Sequence, residues 1–254
     1  MAPAPEPNVV MRAEPGLSKR ASLERMREAG LKPATVFDVG FADGTPELYG
    51  VFEGVRYVVI EPLKESEPLM RRIVERFPGS IAISAAAGPQ PGKGQIVVTP
   101  NLSGSSFLLK PTVGEYRKVP IVTLDQVAEQ HAPPAPYLVK LDVQGYELQV
   151  LAGAERVMEN TAAVIAEVSL WGDRKARRGR PMTEFAALVA WMRERDFVLF
   201  DIAQIARRDF DDAITEMDVV FVPAASPLRA ISAYKLPAQA LADTEKRRRD
   251  FGLG

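Results

Sequence analysis

The chain contains no cysteine, which excludes disulfides, thiolate metal sites and a cysteine nucleophile together. Histidine is nearly as scarce. His131 is the single one; it stands in the stretch His131-Ala132-Pro133-Pro134 ahead of a strand, on the edge opposite the ligand side of a parallel sheet. It reads as a surface loop residue rather than a base, although imidazole suits that role. An excess of one charge is also lacking: 32 basic side chains meet 33 acidic ones. No whole-chain field draws the protein onto nucleic acid or an anionic membrane, so no nucleic-acid partner is expected and charge-based recognition is local. Long apolar runs are missing too. Nothing approaches the roughly 18 uninterrupted apolar residues of a spanning helix, and residues 1–15 hold no apolar run of signal-peptide length. A soluble cytoplasmic protein is the expectation, and no metal site is indicated.

What is present is enough apolar material for one large core: 254 residues at 46% hydrophobic content suit a single α/β domain. That domain is expected over residues 17–236, after an Ala- and Pro-rich arm at 1–16 and before a C-terminal helix and basic tail at 237–254. Helical spacing of Leu23, Met26 and Leu31 marks a first helix over 17–30, which Ser18 or Ser22 is placed to cap. Strands are then read at 35–39, 55–60, 80–85, 137–141, 162–168, 197–202 and 219–222. Helices fall between them at 46–52, 63–77, 124–130, 146–158 and 183–195. Such alternation implies right-handed crossovers and a doubly wound, mostly parallel seven-stranded sheet with helices on both faces. Residues 94–99 and 105–109 depart from the rhythm and read as an inserted β-hairpin turning at 101–104. No internal repeat is evident. The final helix, 239–251, ends in Lys246, Arg247, Arg248 and Arg249, a solvated helix end.

Three segments carry chemistry. The first is VFDVGFADG at 36–44, a strand ending in an acid, a glycine, three residues and a second glycine before a helix. Glycine lets the backbone turn sharply and approach a ligand. A dinucleotide site normally shows G-x-G-x-x-G to admit a pyrophosphate. The D-x-G-x-x-x-G form is that of the first methyltransferase loop, in which Asp38 suits the cationic amino-acid end of S-adenosylmethionine. A bare glycine turn is the competing reading. The second is Glu61, closing the strand YVVI 23 residues after Asp38, where a carboxylate is placed to take both ribose hydroxyls of an adenosine. The third is YLVKLDVQGYE at 137–147, where Asp142 falls at the carboxyl end of a strand, the ligand side of an open parallel sheet.

In this third segment KLDVQGYELQVLAGAE resembles the K-x-D-x-E-G-x-E-x-x-x-L-x-G-A signature of the FkbM family of methyltransferases. VFDVGFADG, VVIEPL, VPIVTLDQV and MDVVFVP are similar to that family's other landmarks in the same order, from about residue 36 to 222. The resemblance implies a class I, Rossmann-like methyltransferase fold, S-adenosylmethionine as donor with S-adenosylhomocysteine as product, and O-methylation, often of sugars or natural products. By position it assigns Asp38, Gly40 and Gly44 to the cofactor loop, with Phe41, Ala42 and Asp43 between the glycines. Glu61 and the adjoining Pro62 fall to the ribose, and Asp142 to the neighbourhood of the transferred methyl. Gln144 departs from the glutamate frequent at that point.

A hydroxyl acceptor has to lose its proton, and the candidates to receive it are Asp142 first, then Glu147 and Glu167, each at or just after the end of a central strand. Glu147 reads equally as a helix cap or an intrahelical partner. Lys140 either pairs with Asp142 or Glu147, or packs its stem beside the sheet. After Glu167 comes WGDRKARRGR at 171–180, with five cations against one anion. Arg174, Arg177 and Arg178 there would suit a phosphate-linked sugar, and Trp171 offers it an apolar face; a solvated loop is the alternative. The serine-rich turn at 101–107, with Ser103, Ser105 and Ser106, either adds hydroxyl contacts or is a plain turn. Two other functions compete: a nicotinamide-dependent oxidoreductase, opposed by the missing G-x-G-x-x-G, and a non-catalytic nucleoside-binding module that has kept the fold.

Overall fold

The computed structural model describes residues 11–13, 17–100, 102, 104–109, 114–170 and 183–230, together with 242, 245, 246 and 248–250 near the C-terminus. The main sheet is built from β2 (Thr35–Val39), β3 (Arg56–Ile60), β4 (Ile81–Ile83), β8 (Tyr137–Leu141), β9 (Thr161–Ser169), β10 (Phe197–Arg208) and β11 (Ile214–Pro223). Across the sheet the order is β10-β11-β9-β8-β2-β3-β4, and β1 (Met11–Ala13) adds an eighth strand on the β10 edge. Residues 11–13 of the expected arm thus pair antiparallel with residues 206–208 of β10. Neighbours from β9 to β4 run parallel, and β11 is antiparallel to both β9 and β10.

The chain moves outward from β2 through β3 to β4 and then returns to β8 on the other side of β2. This reversal opens a crevice at the carboxyl ends of β2 and β8, where open α/β sheets bind ligands. Both strands are buried along their whole length. Successive side chains therefore feed opposite faces: Phe37, Val39, Val58 and Ile60 belong to one core, and Val36, Tyr57 and Val59 to the other.

Flanking helices are α1 (Lys19–Glu28), α2 (Pro46–Val51), α3 (Glu67–Arg76), α4 (Leu124–His131), α5 (Glu147–Leu151), α6 (Glu155–Glu159) and α7 (Phe185–Arg193). Of the two candidate caps for α1, Ser18 performs the task, its Oγ accepting from the Ala21 N–H at 3.1 Å, while Ser22 turns inward and donates to Asp201 at 2.5 Å. The long helix expected over 146–158 is two short ones. Gly153 lies in the break, packed so closely that a Cβ would stand 2.3 Å from the Gly88 carbonyl oxygen. His131 is the exposed last residue of α4 rather than part of a loop.

The insertion is also different in its pairing. β6 (Gly92–Val98) lies antiparallel to β7 (Glu115–Val122), and β5 (Ala86–Ala87) runs parallel to β7, giving a separate three-stranded sheet. Residues 105–109, expected as the hairpin's second strand, form no strand, and Ser106 makes only an isolated bridge to Val97. The true partner was hidden because Glu115, Arg117, Lys118 and Pro120 interrupt its apolar residues, and proline weakens a strand reading. No described helix is long and apolar enough to cross a membrane. Most of the expected C-terminal helix lies outside the described residues.

Candidate active site

Three strand ends are tied together at the crevice by main-chain bonds. The Gly40 N–H donates to Ile60 O and the Asp142 N–H to Val39 O, both at 3.0 Å. Gly40 has φ +73°, and a Cβ there would lie 1.8 Å from the Asp142 carbonyl oxygen. Only glycine allows the β2 loop to close onto the end of β8. Ala42 also adopts the left-handed region, at φ +43°, and its N–H donates to Glu61 Oε2 at 2.9 Å. Glu61 Oε1 accepts from the Leu63 N–H at 3.0 Å. The carboxylate is therefore fixed from both sides, with a second lone pair left on each oxygen. Burial pushes its pKa above the usual carboxylate range, against the opposing pull of the Ala42 and Leu63 amides.

Behind the loop sits an ion cage. Asp38 and Lys140 are register partners on β2 and β8, and both are buried, at 0% and 3% exposure. Lys140 Nζ lies 3.2 Å from Asp38 Oδ1 and 3.6 Å from Asp142 Oδ2, and donates to Gly40 O at 2.8 Å. Asp38 also accepts from the hydroxyls of Thr45 and Tyr49. Burial opposes the lysine's charge, but Asp38 and Asp142 outweigh it and raise its pKa above the ordinary value.

At the mouth of β8, Gln144 is held at φ +55°, with its carbonyl accepting from Ser106 Oγ at 3.1 Å. Its side-chain Nε2 donates to Asp142 Oδ1 and to Glu167 Oε1, each at 3.0 Å. The reverse amide orientation would set an oxygen against two carboxylates, so the NH2 group belongs there. Glu167, on β9, has its pKa raised well above the usual range by burial and by Asp142, Glu216 and Asp218 nearby. Glu147 is wholly buried. Its Oε1 takes the N–H groups of Val143 and Gly145 at 3.2 and 3.0 Å, while Oε2 has no partner. Burial pushes its pKa to about 7, against those same amides.

These elements surround a cavity of about 380 Å³, within the range of small-molecule sites. Ile60, Leu63, Ala86, Ala87, Ile96 and Phe107 supply its apolar wall, and Ser105, Ser106, Asp142, Gln144, Glu167 and Glu216 its polar one. Of the expected cofactor residues, Gly40, Ala42, Glu61, Pro62 and Asp142 line it. Asp38 does not: it is covered by Lys140, Thr45 and Tyr49 and acts through them. Phe41 is turned into the core, Asp43 points to solvent, and Gly44 packs against Phe41 and Tyr49 rings 3.3 Å from its Cβ position. Among the catalytic candidates, Asp142 and Glu167 line the cavity; Lys140 pairs with Asp142 and Asp38, and Glu147 braces the 143–145 loop from the start of α5 without capping the helix. Trp171, Arg174, Arg177 and Arg178 lie outside the described residues.

Sequence reasoning missed a second buried pair. Lys19 on α1 meets Asp218 on β11 at 3.1 Å, which supports the wall behind Glu167 and Glu216. Asp218 stands out as an acid inside the apolar run MDVVFVP. Lys19 gives no such signal, because its partner is 199 positions away. Among the described residues no cluster of histidine or acidic side chains is arranged to hold a metal ion.

A nucleoside-sized pocket with a fixed carboxylate at the tip of β3, main chain closing on it at Gly40 and an apolar wall fits S-adenosylmethionine. Residues 38–199 match the family described as "Methyltransferase FkbM domain". The chain belongs to the FkbM methyltransferase family. Its cofactor is S-adenosylmethionine, and the seven strands from β10 to β4, with β11 antiparallel between β9 and β10, are the class I methyltransferase arrangement. This membership displaces the nicotinamide alternative. A curated relative, "Hexuronic acid methyltransferase AglP" from Haloferax volcanii, is 26% identical over 144 residues, which are 55% of this chain and 59% of the relative. The chain thus spans about three-fifths of the relative's length. Among solved structures, the 1,6-didemethyltoxoflavin-N1-methyltransferase of Burkholderia thailandensis has 13% identity and a TM-score of 0.43, with 81% of this chain and 76% of that chain covered. An rRNA methylase from Streptococcus thermophilus has 8% identity and a TM-score of 0.42, with 81% and 94% covered. The near-neutral charge of the chain does not by itself exclude a nucleic-acid acceptor.

Proposed function

We propose that this family member methylates a hydroxyl oxygen of a small sugar-containing or natural-product acceptor. The observation carrying the proposal is Asp142, a carboxylate in the cavity wall at the end of β8, separated by β2 from the Glu61 pocket at the tip of β3. When bound, S-adenosylmethionine supplies an electrophilic methyl group on a sulfonium. The protein's own work is to hold the acceptor in line, which contributes on the order of 7–11 kcal/mol in well-oriented systems, and to take its proton. Asp142, in the cavity wall, would accept the proton that the hydroxyl gives up on methylation. Lys140 and Gln144 fix the carboxylate from two sides, so it does not have to be ordered during reaction. Ala42 and Glu61 hold the nucleoside end.

Asp142 and Glu167, carboxylates at the cavity wall beyond the Glu61 end, support catalysis over a module that only binds a nucleoside. Asp142→Asn is expected to lower turnover on an accepted hydroxyl at least a hundredfold, the usual scale for loss of a positioned base, with S-adenosylhomocysteine affinity within threefold of wild type by calorimetric titration. Full turnover in that variant would remove the base assignment.

A further inference from the structure

Resting on the reading of Asp142 as the group that takes the acceptor's proton, we infer that Ser106, on the connection between β6 and β7, is a positioning residue for the methyl transfer, acting through Gln144 to fix the direction in which Asp142 meets the acceptor. The contacts run in one line from the small sheet to the cavity. Ser106 is pinned to β6 by two main-chain bonds with Val97, at 3.0 and 3.1 Å. Its hydroxyl accepts from the Leu108 N–H and donates to the Gln144 carbonyl, each at 3.1 Å. Gln144 in turn gives its side-chain amide to Asp142 Oδ1 and Glu167 Oε1, at 3.0 Å each.

Two features make the first link matter for the last. Gln144 holds φ +55°, a region that a residue other than glycine keeps only where its surroundings hold it there. The peptide that follows is gripped at both ends: Glu147 Oε1 accepts from the Gly145 N–H at 3.0 Å, and Ser106 holds the Gln144 carbonyl. Freed at the carbonyl, Gln144 can leave the left-handed region, and its side chain swings with the backbone. Asp142 depends on that side chain, because its other restraint, Lys140, stands farther off, at 3.6 Å from Oδ2. Ser106 also lines the cavity, but its hydroxyl proton is committed to Gln144. Its loss should therefore appear in kcat rather than in cofactor affinity.

The test uses the full chain, with methyl hexosides as acceptors and S-adenosylhomocysteine release as the assay. Ser106→Ala is expected to lower kcat about tenfold or more, since misplacing a reacting group by an ångström costs up to about a hundredfold, while S-adenosylhomocysteine affinity stays within about threefold of wild type. In a Gln144→Ala background, which keeps the carbonyl but lacks the amide, the same substitution should change kcat by less than about twofold, the non-additivity of residues that act through one another. Ser106→Cys, close in size but a weak donor, should fall between wild type and Ser106→Ala, and it carries the test if the alanine variant does not fold. Unchanged kcat overturns the inference, as does a loss of the same size without the Gln144 amide or a loss confined to cofactor affinity. Where no methyl hexoside reacts, solvent exchange of the Gln144 side-chain amide, followed by NMR, decides: faster exchange in Ser106→Ala supports the link, and equal exchange breaks it. Full turnover in Asp142→Asn brings down the base reading itself; lost turnover there with full turnover in Ser106→Ala brings down the inference alone.

Discussion

Lys140 shows how a charged residue can be more demanding of its neighbours than an apolar one. Its ammonium is shielded from water and answered by Asp38, Asp142 and the Gly40 carbonyl, so removing it strands a buried aspartate. Lys140→Met is expected to cost about 3–5 kcal/mol, the scale for breaking a buried pair from one side, read as a fall in the urea midpoint. Glu147 gives a pH signature instead. Its pKa is raised by burial from 4.5 to about 7, so between those values the folded chain holds a proton that the unfolded chain releases. The associated stability is complete below about pH 4.5 and is lost as pH rises through 7, by up to about 3 kcal/mol for a shift of this size. Glu167 and Glu61, also raised, act in the same direction. The lowered pKa values of Glu65 and Glu155, beside Arg117 and Arg195, act below pH 4.5 and leave this window alone. Glu147→Gln can still accept the Val143 and Gly145 amides. Melting temperature measured from pH 5 to 8 should therefore fall less steeply in the variant than in wild type; an identical slope would show that Glu147 is ionised in the fold throughout.

The β2 loop joins three strand ends, and its geometry depends on Gly40. Alanine there has to adopt φ +73° and displace the Asp142 carbonyl, so Gly40→Ala is expected to destabilise by about 1–3 kcal/mol through forced backbone shifts and to weaken S-adenosylhomocysteine binding more than tenfold by titration. This element was legible in the sequence because VFDVGFADG combines a buried strand with a turn that only glycine can make. β3, β8 and β9 were legible for a related reason: they are short apolar runs with an acid at or near the end. β7 was not, since its charges and Pro120 hide a strand that a separate small sheet tolerates. The break between α5 and α6 could not be read from periodicity either, nor could the close approach of Gly153 within it to Gly88, 65 positions earlier in the chain. Within the site, the types of residue were readable but not their directions. Asp38 and Asp142 look alike as acids at strand ends, yet the β2–β8 register puts Asp38 against Lys140 behind the wall, and only Asp142 reaches the cavity.

At the scale of the whole molecule, the pocket draws on β2, β3, β8, β9 and β11 of the main sheet and on β5 and β6 of the small one. A ligand that binds it stabilises elements far apart in the chain, and only in the folded state. Mass action then sets the gain at about 2.7 kcal/mol when free ligand is a hundred times its dissociation constant. For a domain of this size each kcal/mol moves Tm by about 2–4 °C. S-adenosylhomocysteine at that level is accordingly expected to raise Tm by roughly 5–11 °C, a range that follows from the same scale. Glu61→Ala removes the carboxylate at the tip of β3 and should weaken binding at least tenfold, about 1.4 kcal/mol. At the same ligand concentration its Tm shift should therefore be about half that of wild type or less. Comparison of each protein with and without ligand separates this loss from any change in intrinsic stability that follows from freeing the Ala42 and Leu63 amides. NADH at equal concentration should leave both proteins unmoved. A shift with NADH and none with S-adenosylhomocysteine would mean that Glu61 serves a different nucleoside.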